Sequence, residues 1–164
     1  MRSTLALAPT VWHAGYVKTG KKYYSGAHTL YRLQFHLVWI PKYRKRVLVA
    51  EVASDLKRLF FQCAEMNDWW IERLAVMPDH VHMLIELPPS TSVSQAVQSF
   101  KGGSSRAIRQ THPALEEWLW GDSFWTDGYF AESVGRNTEQ AIKRYIENQW
   151  KAKPSMPPQG SLGL

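Results

Sequence analysis

Cysteine is nearly absent: Cys63 is the only one in 164 residues, which excludes an intramolecular disulfide framework and a zinc-ribbon cluster and suits a reducing, cytoplasmic setting. Long apolar runs are missing too, so no segment is expected to span a membrane. There is no G-x-x-x-x-G-K-[ST] phosphate loop, and "FKGGSSR" at 100–106 resembles one only weakly, so chemistry driven by a nucleoside triphosphate is not expected. Internal repeats and low-complexity tracts are also lacking. Negative charge is the scarcer sign. With 14 Asp and Glu against 20 Lys and Arg, the formal net charge is +6, which favours an anionic partner, nucleic acid ahead of a membrane surface.

What is present suffices for one domain with a real core, rich in aromatics, eight of them Trp. The polar or Pro-rich ends read as a flexible N-terminal arm over 1–28 and a flexible C-terminal tail over 152–164, with the domain at 29–151. The start, "MRSTLALAPTVWHAGY", carries one Arg and too short an apolar stretch for a signal peptide.

Within the domain, "LYRLQFHLVWI" (Leu30 to Ile40) alternates Leu33, Phe35, Leu37 and Trp39 against Arg32, Gln34 and His36, the pattern of a strand with one strongly buried face. Glu51 to Met66 repeats Val52, Leu56, Leu59, Phe60 and Cys63 at helical spacing. Two strands, Trp69 to Val76 and His80 to Leu87, are joined by "MPD" as a hairpin. A helix starts near Val93, where Gly102 and Gly103 predict a bend or a close approach. Strand character returns around a turn at Asp127-Gly128. "NTEQAIKRYIENQW" is a last helix, with Asn137 and Gln140 in a capping-box pattern. The order β-α-β-β-α-β-α is that of a ferredoxin-like α+β sandwich, an antiparallel sheet with helices packed on it.

The sharpest chemical signal is "VMPDHVHMLIELPP". His80 and His82 are two residues apart on a strand, so they share a face and their rings converge, as two ligands of one divalent cation would. A satisfied structural histidine is the plainer reading of either one alone. The last helix stacks Tyr145 and Gln149 four residues apart on one face. A Gln carbonyl is an acceptable oxygen donor for Mg²⁺ or Mn²⁺, and such a set leaves positions open for phosphate oxygens. Tyr145 beside a metal-bound phosphate could act as a nucleophile while a 3′-OH departs. Alone, the same helix reads as amphipathic, with Ile142, Tyr145 and Ile146 in the core.

Five blocks, "HLVWIPKYRKRVL", "VMPDHVHMLIELP", "SFKGGSSR", "LWGDSFWTDGYF" and "YIENQ", resemble in order and spacing the single-tyrosine HUH transposases of the TnpA type, from the IS200/IS605 group of insertion sequences. The resemblance covers about Leu30 to Trp150. It implies His80, His82 and Gln149 as metal ligands and Tyr145 as the nucleophile. It also implies single-stranded DNA with end hairpins as substrate, phosphotyrosine intermediates, and a prokaryotic, nucleoid-associated homodimer. In that family the tyrosine helix reaches across the dimer, so each site would join the histidines of one subunit to the Tyr and Gln of the other.

The basic loop Lys42, Arg44, Lys45 and Arg46, with Tyr43 among them, is expected to contact phosphates and an unpaired base, and Lys101, Arg106 and Arg109 to extend that surface. His36 is a candidate to line the site, or only a hydrogen-bonded structural histidine. Asp79 could orient a metal-bound histidine from behind, or serve only the turn. Gly135 is read as a hinge before the last helix. Trp118, Trp120 and Trp125 are expected in the core or a dimer interface rather than as base-stacking platforms. Two other functions fit the same residues: a domesticated nuclease of repeat hairpins from the same family, and a non-catalytic nucleic-acid-binding module on a ferredoxin-like sheet.

Overall fold

The computed structural model describes residues 24–25, 28–149 and 151, so nearly all of the N-terminal arm and the C-terminal tail lie outside the described residues. The elements in chain order are β1 (Tyr24–Ser25), β2 (Leu30–Tyr31), β3 (Gln34–Trp39), α1 (Ala50–Met66), β4 (Trp70–Met77), β5 (His80–Glu86), α2 (Val93–Thr111), α3 (Glu116–Leu119), β6 (Phe130–Ser133) and α4 (Arg136–Asn148). Strands β4-β5-β3-β6 form one sheet in that order, antiparallel throughout, while β1 and β2 pair separately. This is the ferredoxin-like α+β arrangement, with α4 added after it.

Alternation along β3 and β5 divides the sheet into two faces. Leu37 and Trp39 on β3, with Val81, Met83 and Ile85 on β5, join Leu56 and Phe60 of α1 and Val97, Phe100 and Ile108 of α2 in the main core. On the opposite face, Ala75 of β4 and Leu84 of β5 meet Ile146 of α4, flanked by Met77, Val134 and Ile142. Helices on both faces explain why β3 buries Gln34, His36 and Val38 as well as its apolar alternates, where period-two reading anticipates a single buried face.

Three local expectations need correction. The capping box belongs to α2: Ser92 Oγ accepts from the Gln95 N–H at 3.2 Å, and the Gln95 side chain accepts from the Ser92 N–H at 3.0 Å. Helix α4 instead begins at Arg136 with Gly135 as N-cap, so Asn137 does not cap it. Its Glu139 is drawn into ion pairs with Arg32 and Lys143 at 2.6 and 2.7 Å, which holds the first turn in place of a side-chain cap. Helix α2 runs uninterrupted through Gly102 and Gly103. A Cβ on either would meet nothing within 4 Å, so no close approach requires them. Finally, of the strand expected around Asp127-Gly128 only Phe130–Ser133 forms, with Trp125 making an isolated bridge to Pro41.

Candidate metal and tyrosine site

The β4–β5 hairpin sets the histidines by register. Met77 pairs with His80 across the Pro78-Asp79 turn, and His82 lies between Ala75 of β4 and Val38 of β3. His80 and His82 therefore point to the α4 side of the sheet, with ring centroids 4.8 Å apart. Each ring is held at Nδ1. Asp79 Oδ1 takes His80 Nδ1 at 2.6 Å, and His36 Nε2 meets His82 Nδ1 at 3.1 Å with the two rings nearly parallel. With both Nδ1 atoms engaged, the two Nε2 atoms are left for an outside partner, the tautomer in which an imidazole binds a metal.

Electrostatics favour the same state. Burial, followed by the charges of His80 and His36, pushes the His82 pKa down to about 3, so this ring is neutral near pH 7. Burial also lowers His36, against a smaller opposing effect of Glu132, which sits opposite it on β6. A neutral His36 with its Nε2 unprotonated can accept from His82 Nδ1–H. Burial alone would raise Asp79, but its bonds to His80 and Arg44 outweigh that and keep the carboxylate ionised.

Tyr145 completes the face. Its ring stands edge-on to His82, centroids 5.2 Å apart, and 6.3 Å from His36, while remaining 49% exposed. The helix reaches this place because Ile142 and Ile146, four residues apart, seat on Ala75 and Leu84 and turn Tyr145 toward the histidines. A stripe of Glu139, Lys143 and Glu147 meets Arg32, Glu72 and Arg73 beside them. In the single chain Tyr145 thus faces its own histidines, whereas the family resemblance places it over a partner's. The apolar seat and the ion pairs are the physical reason.

Gln149 follows one turn later, with its amide donating to the Tyr145 carbonyl at 3.4 Å. Among the described residues no three His, Cys, Asp or Glu side chains gather at one metal-sized space. The two imidazoles are thus the nitrogen donors that this face presents, and Gln149 lies one turn beyond Tyr145 on α4. Gly135 has φ −85 and ψ 169, ordinary extended backbone, so glycine is not needed for this conformation.

The basic loop is anchored to this site. Asp79 Oδ2 takes Arg44 Nε at 3.2 Å while its other oxygen holds His80. Tyr43 and Arg44 both have positive φ, 57 and 50, a strained turn of the sort found where side-chain placement matters. Lys45, Arg46 and Arg106 are exposed. Two other basic residues do not extend the surface as expected. Lys101 Nζ is spent on the carbonyls of Thr126, Asp127 and Gly128, and Arg109 is paired with Glu116 and the Asp122 carbonyl. Trp125 is core and Trp118 packs against the core, while Trp120 is exposed, so of the three it alone is not a core residue. The ion pairs under α4 and the His36–His82 contact escape sequence reading. Their only trace is an uninterrupted polar face, Arg32, Gln34 and His36, on a strand otherwise suited to burial.

Comparison with known proteins places the chain among transposases. The family model for IS200-like transposases matches residues 29–149. The chain belongs to that family. It is 40% identical over 124 residues to the ISDra2 transposase TnpA of Deinococcus radiodurans, covering 76% of this chain and 89% of that one. It is 32% identical over 123 residues to the transposase for insertion sequence element IS200 of Salmonella typhimurium, covering 75% and 80%. A crystal structure of a Deinococcus radiodurans transposase superposes with TM-score 0.64 at 38% identity, over 76% of this chain and 96% of that one. A REP-associated tyrosine transposase bound to a REP hairpin shares the fold, with TM-score 0.56 at 13% identity over 76% and 72%. No helix among the described residues is long and apolar enough to cross a membrane.

Proposed function

We propose that this IS200-like transposase cleaves and rejoins single-stranded DNA at insertion-sequence ends through a covalent bond between Tyr145 and a 5′-phosphate. The observation that carries the reading is the edge-on contact of Tyr145 with His82, beside two imidazoles whose Nε2 atoms are left for a cation. The Tyr145 oxygen attacks phosphorus, the bond from phosphorus to the 3′ oxygen breaks, the phenol gives up its proton and the departing oxygen gains one. One phosphodiester replaces another, so rejoining is the same exchange run by an incoming 3′-OH. Mg²⁺ or Mn²⁺, held by His80 and His82 with Gln149 as a further oxygen donor, would supply charge stabilisation to the phosphate oxygens. Asp79 and His36 orient the two imidazoles, and the basic loop holds the strand.

End hairpins are the proposed recognition element and a homodimer the working assembly, in which α4 can serve either its own sheet or a partner's by movement at Gly135. Incubation with single-stranded element ends and Mg²⁺ should leave protein on the DNA 5′ end and a free 3′-OH. Tyr145→Phe should abolish the adduct and keep hairpin binding; an adduct in that variant would overturn the assignment. Mixing a His80→Ala/His82→Ala subunit with a Tyr145→Phe subunit restores cleavage only if sites are shared, so verified mixed dimers that stay inactive would reject sharing.

A further inference from the structure

We propose that Trp120 and Tyr43 form a stacking platform for unpaired bases of the DNA strand, on the surface that the basic loop ties to His80. The inference rests on the single-strand reading above and names the protein surface that would recognise bases rather than phosphates. Trp120 is 89% exposed, the most open large apolar side chain of the described residues. The backbone that carries it is nonetheless fixed. Trp120 sits in the left-handed region at φ 48, ψ 39, which a bulky side chain rarely adopts, and Gly121 continues the turn at φ 83. The turn is tied down at three points: Trp120 N–H to the Glu116 carbonyl at 3.2 Å, Asp122 N–H to the Leu119 carbonyl at 2.9 Å, and Arg109 of α2 to the Asp122 carbonyl at 2.9 Å. Arg109 also grips Glu116 through two nitrogens. The strained, braced turn thus holds the Trp120 backbone at a place where the indole stands open to solvent.

Asp122 links that turn to the basic loop. Its carboxylate takes Lys42 Nζ and the Tyr43 hydroxyl, each at 3.2 Å, and Tyr43 is 64% exposed at positive φ. The Tyr43 ring is thus pinned at its polar tip, with the Lys42 ammonium over one face at 5.9 Å from the ring centroid. Two exposed aromatic rings on adjoining segments, among Lys42, Arg44, Lys45 and Arg46, combine π-faces for bases with cations for phosphates. The same loop reaches the metal site, since Arg44 and His80 share the Asp79 carboxylate. A strand laid across the platform would therefore carry its neighbouring phosphate toward the histidines. The four loop cations outnumber the two carboxylates that they meet, which suits a polyanion better than a second copy of a chain whose net charge is +6.

The test uses the full chain carrying Tyr145→Phe, so that no strand is turned over, with two fluorescein-labelled probes of equal length: oligothymidylate and an abasic deoxyribose-phosphate strand. The parent is expected to bind the base-bearing probe about 5- to 100-fold more tightly. Trp120→Ala should erase most of that preference, Trp120→Phe should restore much of it, and the dependence on salt should keep its slope because no phosphate contact is lost. Full preference in the Trp120→Ala chain, or equal binding of both probes by the parent, would overturn the platform while leaving the transposase reading standing. A change of sedimentation mass in Trp120→Ala would assign the indole to a subunit contact and also overturn it. Failure of the parent to bind either probe would instead strike the single-strand reading itself.

Discussion

The two faces of the sheet are held in different ways. Toward α1 and α2, aromatic rings interlock: Trp39 lies edge-on to Phe60 and Trp125, Phe60 edge-on to Phe100, and the surrounding aliphatic side chains are closed to solvent. Toward α4 the fully buried apolar cluster of the described residues is small, Ala75, Leu84 and Ile146 flanked by Met77, Val134 and Ile142, and ion pairs through Glu139, Lys143 and Glu147 stand beside it. Close-packed apolar burial is insensitive to salt, as is the nearly buried Arg32–Glu139 pair, whereas the half-exposed Arg73–Glu147 pair is screened and individually weak. The first face therefore fixes the fold. The second holds the histidine pair and Tyr145 of the proposed site, on the helix with the smaller apolar seat.

The largest expected effect breaks the first face. Phe60→Ala should cost about 3–5 kcal/mol of global stability, read by denaturant unfolding. Ile146→Ala, by contrast, should cost about 2–4 kcal/mol and act locally: amide exchange in α4 accelerates while α1 and α2 stay protected. Equal acceleration in all three helices would show that the two faces unfold as one.

Next comes His36, on the chemical side of the comparison. His36→Ala should weaken Mn²⁺ binding about 10- to 100-fold by calorimetry, without altering the circular dichroism, because it frees His82 Nδ1 from its partner. Affinity unchanged from the parent would reduce His36 to a core residue.

Acid should loosen the α4 face first. His82 has a depressed folded pKa, so its contribution is full above the unfolded value of 6.5 and is lost as pH falls toward about 3. Glu139 is pulled below its ordinary 4.5: burial would raise it, but Arg32 and Lys143 outweigh burial, so its contribution is lost as pH falls below 4.5 through the lowered value. Hydrogen exchange at stepwise lower pH should show α4 opening before α1 and α2. The smallest effect is expected at the outer pair. A double-mutant cycle of Arg73→Ala and Glu147→Ala should give a coupling of at most about 1 kcal/mol, vanishing in high salt, since both side chains are half exposed.

Much of this was legible in the chain. The hairpin around Pro78 and Asp79 and the shared face of His80 and His82 follow from period-two alternation, which is local geometry. Helices α1 and α2 follow from the spacing of apolar residues such as Leu56 and Phe60, or Val97 and Phe100. The start of α4 was misplaced because Asn137 and Gln140 imitate a cap, while the first turn is held by Arg32, a residue more than a hundred positions earlier. The three Trp near residue 120 read alike in sequence, yet only the backbone turn at Trp120 decides that this one faces solvent.

By itself, then, the amino-acid order determined which residues alternate, which recur at helical spacing and which chemistry His80, His82, Tyr145 and Gln149 can offer, because those properties depend on near neighbours. Only the tertiary structure decided that α4 lies on its own sheet, that His36 backs His82, that Asp79 joins the basic loop to His80, and that Lys101 and Arg109 are spent inside the fold. Each of these is a meeting of groups far apart in the chain, set by how rigid elements pack and by which charges find a partner when water is excluded, and no local period encodes it.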